Sequence, residues 1–180
     1  MRSLGDSIEG FADRAGVGAP LGDGELTEDC WTCASNSGKR RISPAGSVYE
    51  GTYWLVEHAY PAALLGWMVI VLKRHVAALH DLSDVEFQEL GRIQPALVAE
   101  LSATLRSEKE YVACFAEGEH FRHIHFHVVA VPKGIPSAMR GARSFQFLQI
   151  NEDEAVKPQD VRDLCDALRR RLAVRLGSPT

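Results

Sequence analysis

His123-Ile124-His125-Phe126-His127-Val128-Val129 alternates imidazoles with apolar side chains. Successive side chains of a strand point to opposite faces. The spacing therefore predicts that His123, His125 and His127 line one face, about 7 Å from one to the next, while Ile124, Phe126 and Val128 enter the core. All seven histidines lie between His58 and His127, and four fall in the eight residues from His120 to His127. Neutral imidazole is a nucleophile, an acid or base near neutral pH, and a metal ligand. Three in strict alternation mark a chemical site, and the residues alone leave nucleophilic catalysis and a metal-dependent hydrolase using the histidine cluster both open.

On either side of this strand the chain changes period. Lys109 to Ala116 reads as a strand, joined to His123 to Val131 by the Glu117–Arg122 loop. Further upstream, Ser47 to Glu50, Tyr53 to Glu57 and Trp67 to Leu72 are short β-prone runs, the first two separated by a Gly51-Thr52 turn. Between these groups, Ser83 and Glu86 form a capping box and Leu82 is placed to pack on Phe87. A helix is expected from Ser83 to about Arg106, with Phe87, Leu90, Ile93, Leu97, Leu101 and Leu105 inward and a kink at Pro95. Downstream, a Gly-, Pro- and Arg-rich loop leads to a short extra strand at Phe145 to Ile150. Pro158 to Leu176 then carries Val161, Leu164, Cys165, Leu168, Leu172 and Leu176 on one face, with Gly177 as a stop.

The 180 residues carry a net charge of −4, with 46% hydrophobic and 24% charged side chains. Such values suit a globular protein and supply no field to attract DNA or RNA, so nucleic acid is not expected as a partner. The run Leu64 to Leu72 is far shorter than the ~18 to 20 apolar residues of a membrane span, so no membrane association is expected. Met1 to Gly10 lacks the pattern of a secretory signal, and a cytoplasmic protein is expected. Residues 1–28 hold six glycines and six acids against two arginines, which reads as a flexible acidic N-terminal arm. Residues 29–150 then form the main domain, and 151–180 a C-terminal helix packed on it. Of the four cysteines, Cys114 and Cys165 read as small buried hydrophobes. Cys30-x-x-Cys33 alone leaves zinc, redox chemistry and no special role open.

The His-φ-His-φ-His-φ-φ pattern, with φ apolar, resembles the signature of the histidine triad (HIT) family of nucleotide hydrolases and transferases. Gly66-Trp67-Met68-Val69-Ile70-Val71-Leu72-Lys73-Arg74-His75-Val76 is similar to that family's Gly-His-Leu-Leu-Val-Ile-Pro-Lys-Arg-His-Val strand. Cys30-Trp31-Thr32-Cys33 is similar to the Cys-x-x-Cys that opens many bacterial members. Likeness runs from about Cys30 to Pro132. It implies an α+β fold, a HIT-like antiparallel sheet of about five strands with two main helices, and a homodimer. It also implies hydrolase or transferase cleavage of a nucleoside phosphoanhydride or phosphoramidate, attacked at the α-phosphate by His125 through a covalent nucleotidyl-histidine. His127 would stabilise the phosphoryl oxygens and His123 support the site from its other end. A structural zinc is implied on Cys30, Cys33, His75 and His123, with no organic cofactor.

Two stretches depart from the resemblance. Where many relatives carry Gly-Gln-Ser/Thr-Val-x-His, this chain has Gly118-Glu119-His120-Phe121-Arg122-His123, so that Glu119 and His120 become the candidates for holding phosphate and leaving group. Where relatives carry a ribose-binding Asp in Phe-x-Asp-φ-x-Pro, Val56-Glu57-His58-Ala59-Tyr60-Pro61 stands instead, leaving Glu57 or His58 as candidates for the nucleoside. These departures also admit a catalytically weak nucleotide-binding protein. Lys39-Arg40-Arg41 and Arg140 to Arg143 are basic clusters within reach of a polyphosphate, or simply solvated.

Overall fold

The structure, a computed structural model, describes residues 29–40 and 42–177. The acidic arm and Arg41 lie outside the described residues. Five strands form one antiparallel sheet: β1 (Tyr49–Glu50), β2 (Trp54–His58), β3 (Trp67–Leu72), β4 (Lys109–Ala113) and β5 (His125–Val131), in the order β1-β2-β3-β5-β4. Three helices accompany it: a short α1 (Trp31–Asn36), which the sequence reading did not anticipate, then α2 (Asp84–Leu105) and α3 (Pro158–Leu176). The expected fold class is the observed one.

Period-2 alternation divides the sheet into two unlike faces. Trp54 and Val56 of β2, Met68, Ile70 and Leu72 of β3, and Val128 and Ala130 of β5 are buried on one face. They join Leu90, Ile93, Ala96, Leu97 and Leu101 of α2 and Val161, Leu164, Cys165, Leu168 and Leu172 of α3 in one continuous core. Burial pushes the Cys165 thiol up to about 11, as suits a thiol serving as a small hydrophobe. Gly66 shows how closely α2 lies. A Cβ there would come within 2.3 Å of Leu105 Cδ1, and the residue sits at φ +88. Only glycine meets both conditions.

Two expectations are corrected. Helix α2 does begin after Ser83 with both halves of its capping box formed, but Phe87 is 43% exposed and Glu86 is buried instead. Leu90 has a helical neighbour both three and four residues before it. The inward place goes to Glu86 because Arg74 neutralises it, with Nε donating to Oε1 at 2.6 Å and a guanidinium nitrogen to Oε2 at 2.8 Å. Pro95 lies inside α2, which runs as one helix from Asp84 to Leu105 as expected. Gly91, whose carbonyl loses its partner, and Pro95 are both exposed, so water can serve that carbonyl. Finally, Phe145 to Ile150 is not a strand. Gly141–Leu148 forms a 3-10 segment whose Phe145 ring packs edge-on to Trp67, lying across the open face of the sheet rather than along an edge.

Glu86 gives the fold a pH dependence. Hydrogen bonds from Arg74 hold its carboxyl at about 2, below the ordinary 4.5, against the opposing effect of burial and with help from the Ser83 amide and hydroxyl. A depressed carboxylate stabilises the folded state above its unfolded pKa, and that contribution fades as pH falls from about 4.5 to about 2. Glu86→Gln should cost about 2 kcal/mol at pH 7. In urea titrations the gap from wild type should close as pH falls through that window; a gap constant with pH would reject the pairing.

Candidate active site and metal centre

The second face of the sheet carries the candidate site. β3 pairs with β5 so that Val69 faces His127 and Val71 faces His125, while β2 sets Glu57 opposite Val69. Glu57 and His127 thus lie two strands apart on one face, about 10 Å between backbones. Above them opens a cleft of about 780 Å³ whose floor includes Val69, Val71, His125 and His127. Helix α1 forms one wall, the Phe115–Phe121 loop another, and Phe145 with Leu148 a third.

His125 and His127 hold opposite tautomers. His125 donates from Nδ1 to the backbone carbonyl of His123 at 2.7 Å, which leaves an unprotonated Nε2. His127 accepts at Nδ1 from the indole N–H of Trp67 at 3.0 Å, which puts its single proton on Nε2. The two rings stand edge to face, 4.8 Å apart. Burial lowers the His125 pKa against the opposing hydrogen bond to His123, and burial with the neighbouring His125 lowers that of His127 to about 3. The cleft therefore presents a lone pair beside an N–H donor at neutral pH.

His123 does not share the cleft, which corrects the expectation of three imidazoles on one face. β5 begins only at His125. Two residues before the ladder, His123 is fully buried and turns its Nδ1 toward Cys30 Sγ at 3.7 Å and Cys33 Sγ at 3.5 Å. His75 Nδ1 lies 3.3 Å from Cys33 Sγ. The four ligand atoms fall within 4.8 Å of one another. Zinc bond lengths at a tetrahedral angle require S···N edges of roughly 3.5 Å, so these three distances are of the length a tetrahedral zinc would need, while the set as a whole spans up to 4.8 Å. His123 Nε2 donates to the Leu72 carbonyl at 2.7 Å, the outer hydrogen bond that orients a metal-ligating imidazole. With His123 committed here, the three triad imidazoles do not converge on one catalytic metal.

The other candidates divide. Glu57 lines the cleft and accepts from Ser47 Oγ at 3.0 Å. His58 is fully buried; its Nδ1 donates to the Ala59 carbonyl at 2.7 Å and its Nε2 accepts from the Gly66 amide at 3.0 Å. Both nitrogens are spent on backbone, so His58 ties β2 to β3 and has nothing to offer a ribose. Glu119 and His120 are also corrected, since neither lines the cleft. His120 sits at φ +64 and its ring stacks on Trp31, centroids 4.8 Å apart, while the Glu119 side chain is 91% exposed. Of the basic clusters, Arg140 pairs with Glu108 and Arg143 donates to backbone carbonyls. Among the described residues of these clusters, Arg40 alone reaches the cleft, its guanidinium 3.8 Å above the Trp31 ring. Sequence reasoning missed Trp67 and Phe145. Trp67 pairs with Val129 and reaches His127 as a diagonal neighbour, so its role follows from a strand register that no local pattern encodes.

No protein-family model matches the chain, and no curated protein matches it in sequence. Solved structures do match. A hypothetical histidine triad nucleotide-binding protein from Sulfolobus tokodaii superposes with a TM-score of 0.62 at 14% identity, over 82% of this chain and 97% of that one. The chain has the histidine triad fold. A Zn-bound histidine triad family protein from Mycobacterium smegmatis shares it at a TM-score of 0.54 and 20% identity, covering 78% and 96% of the two chains. So does a Hit-like protein involved in cell-cycle regulation from Bartonella henselae, at 0.58 and 13%, covering 77% and 92%.

Within this histidine triad fold, the Cys30–Cys33–His75–His123 cluster can be tested as a ligand set. Added Co²⁺ should give the intense visible bands of a tetrahedral ion together with thiolate charge transfer. Cys33→Ser should weaken binding by more than the ~10- to 100-fold that loss of a supporting partner costs. A weak octahedral spectrum in wild type would reject the four-ligand centre.

Proposed function

We propose that the chain is a histidine triad nucleotidyl hydrolase or transferase that forms a covalent nucleotidyl-histidine at His125. The opposed tautomers carry this reading. His125 Nε2 attacks the α-phosphorus in line with the leaving group, and its other nitrogen keeps its proton on the His123 carbonyl throughout. The His127 Nε2–H, fixed by Trp67, stabilises charge gathering on the phosphoryl oxygens. His123 supports the nucleophile through its backbone. Glu57, about 10 Å across the sheet, is placed to accept ribose hydroxyls. Zinc on Cys30, Cys33, His75 and His123 would supply fold stability and no reacting position, because the set is closed. The solvent-facing edge of β4 and the exposed Val112 and Phe115 support pairing with a second copy. No helix among the described residues is long and apolar enough to cross a membrane.

One observation favours a second reading, a nucleotide-binding protein with little turnover: Glu119 and His120 stand outside the cleft, so the loop contributes no side chain of theirs to the leaving group. Intact-protein mass spectrometry after mixing with diadenosine polyphosphate or acetyl adenylate, alongside AMP release, separates the two. Wild type should gain a nucleotidyl mass and release AMP, and His125→Ala should do neither, a loss of about 10⁴-fold or more in kcat. Equal AMP release by both proteins would sink the covalent mechanism. Nucleotide binding without adduct or release would establish the second reading. A chelator should lower thermal stability and abolish activity only as the fold is lost.

A further inference from the structure

Trp67 is fully buried on β3, at the place where the resembling strand of the family carries histidine. Indole has an N–H to donate and nothing with which to accept. A proton on His127 Nδ1 would set two N–H hydrogens against each other in a buried contact of 3.0 Å, so His127 is confined to the neutral Nε2–H form. Its other neighbours reinforce this. His125 lies along the strand, Phe145 meets the ring edge-on at 4.8 Å, and Val69 and Ala113 face it across the two ladders. None of them is a carboxylate. Among the described residues, the charged groups lining the cleft are Arg40, Glu57, Glu117 and Glu152, and none is hydrogen-bonded to the imidazole.

We propose that Trp67 is a positioning residue that keeps His127 a hydrogen-bond donor with no proton to give away, and thereby restricts the substrate to nucleotides whose leaving group departs as a stable anion. Phosphate from a phosphoanhydride and carboxylate from an acyl-phosphate anhydride satisfy this; an amine from a phosphoramidate does not. The inference rests on the nucleotidyl-transfer reading above and names its substrate class. In the first step the Nε2–P bond of His125 forms as the P–O bond to the leaving group breaks, and the electron pair departs with that oxygen. The His125 ring becomes a cation with its proton still on Nδ1. Water then forms the new P–O bond, the N–P pair returns to Nε2, and the water proton goes to solvent. Neither step draws a proton from His127. An amine leaving group needs one as the P–N bond breaks, and neutral imidazole could supply it only by becoming imidazolate.

The test compares kcat/KM for acetyl adenylate, diadenosine tetraphosphate and adenosine phosphoramidate, read by AMP release, in wild type, Trp67→His and Trp67→Phe. Wild type should favour the two anhydrides over the phosphoramidate by about 100-fold or more, the scale of a lost general acid. Trp67→His supplies an acceptor that tolerates a protonated His127. It should raise the ratio of phosphoramidate to acetyl adenylate kcat/KM about 10-fold or more over wild type, whatever the change in either value alone. In ¹⁵N-histidine spectra, wild type should show His127 as the Nε2–H tautomer, and Trp67→Phe should show a mixture. Wild type cleaving the phosphoramidate as well as the anhydrides, or a wild-type spectrum with the proton on Nδ1, would overturn the proposal. Absence of turnover on all three substrates would overturn the nucleotidyl-transfer reading and the substrate class with it, whereas the tautomer assignment stands or falls on the spectrum alone.

Discussion

The site depends on where the β5 ladder begins. From His125 onward the backbone is held between β3 and β4, so side chains must alternate between core and cleft. His123 lies just before that point. Its amide bonds to the Phe121 carbonyl at 2.7 Å rather than into the ladder, and its ring is free to turn toward the cysteines of α1. A single local pattern of alternating histidines is thus divided between two sites, with the division set by the hydrogen bonding of the backbone. The His123 carbonyl spans them, since its own residue turns its ring toward Cys30 and Cys33 while the carbonyl accepts the proton of the His125 ring facing the cleft.

The cleft itself is organised by hydrogen bonds that leave one nitrogen of each imidazole uncommitted. A histidine near its ordinary pKa would exchange tautomers and charge states at neutral pH. Burial suppresses the charged form in both His125 and His127, and the two fixed partners, a carbonyl for one and an indole N–H for the other, choose opposite tautomers. In the proposed nucleotidyl transfer, fixing these positions beforehand would leave no reorganisation to be made as charge develops. Phe145, edge-on to both Trp67 and His127, packs the third side of that arrangement.

Much of this was legible in the chain. Alternation identified β5 and, from His125 onward, which of its side chains turn inward, because period 2 is enforced by backbone geometry alone. Ser83 and Glu86 located the start of α2, and Val161 through Leu172 the buried stripe of α3, because caps and helical periodicity are local properties. Phe87 was misplaced because a buried carboxylate becomes acceptable only with Arg74 beside it, and Arg74 arrives from another element. His58 was misjudged for the same reason: its two backbone partners exist only once β2 and β3 are paired. Glu119 and His120 followed a spacing in a loop, where the left-handed turn at His120 sends the side chain to Trp31 instead of the cleft. Trp67 was overlooked because its partner lies sixty residues away in sequence and one diagonal step away in the sheet.

Because the large core lies on the other face of the sheet, the chain separates what holds it together from what it reacts with. Trp67, Val129 and Val131 form a smaller cluster at one end of the reactive face, but Glu57, Val69, Val71, His125 and the loops above them take no buried place in the main core. Replacements there change the shape and charge of the cleft at little expense to folding. A chain built this way can drift widely in the ligand it accepts while its architecture persists, which accords with superposition on Sulfolobus and Bartonella proteins that share only 14% and 13% of its residues.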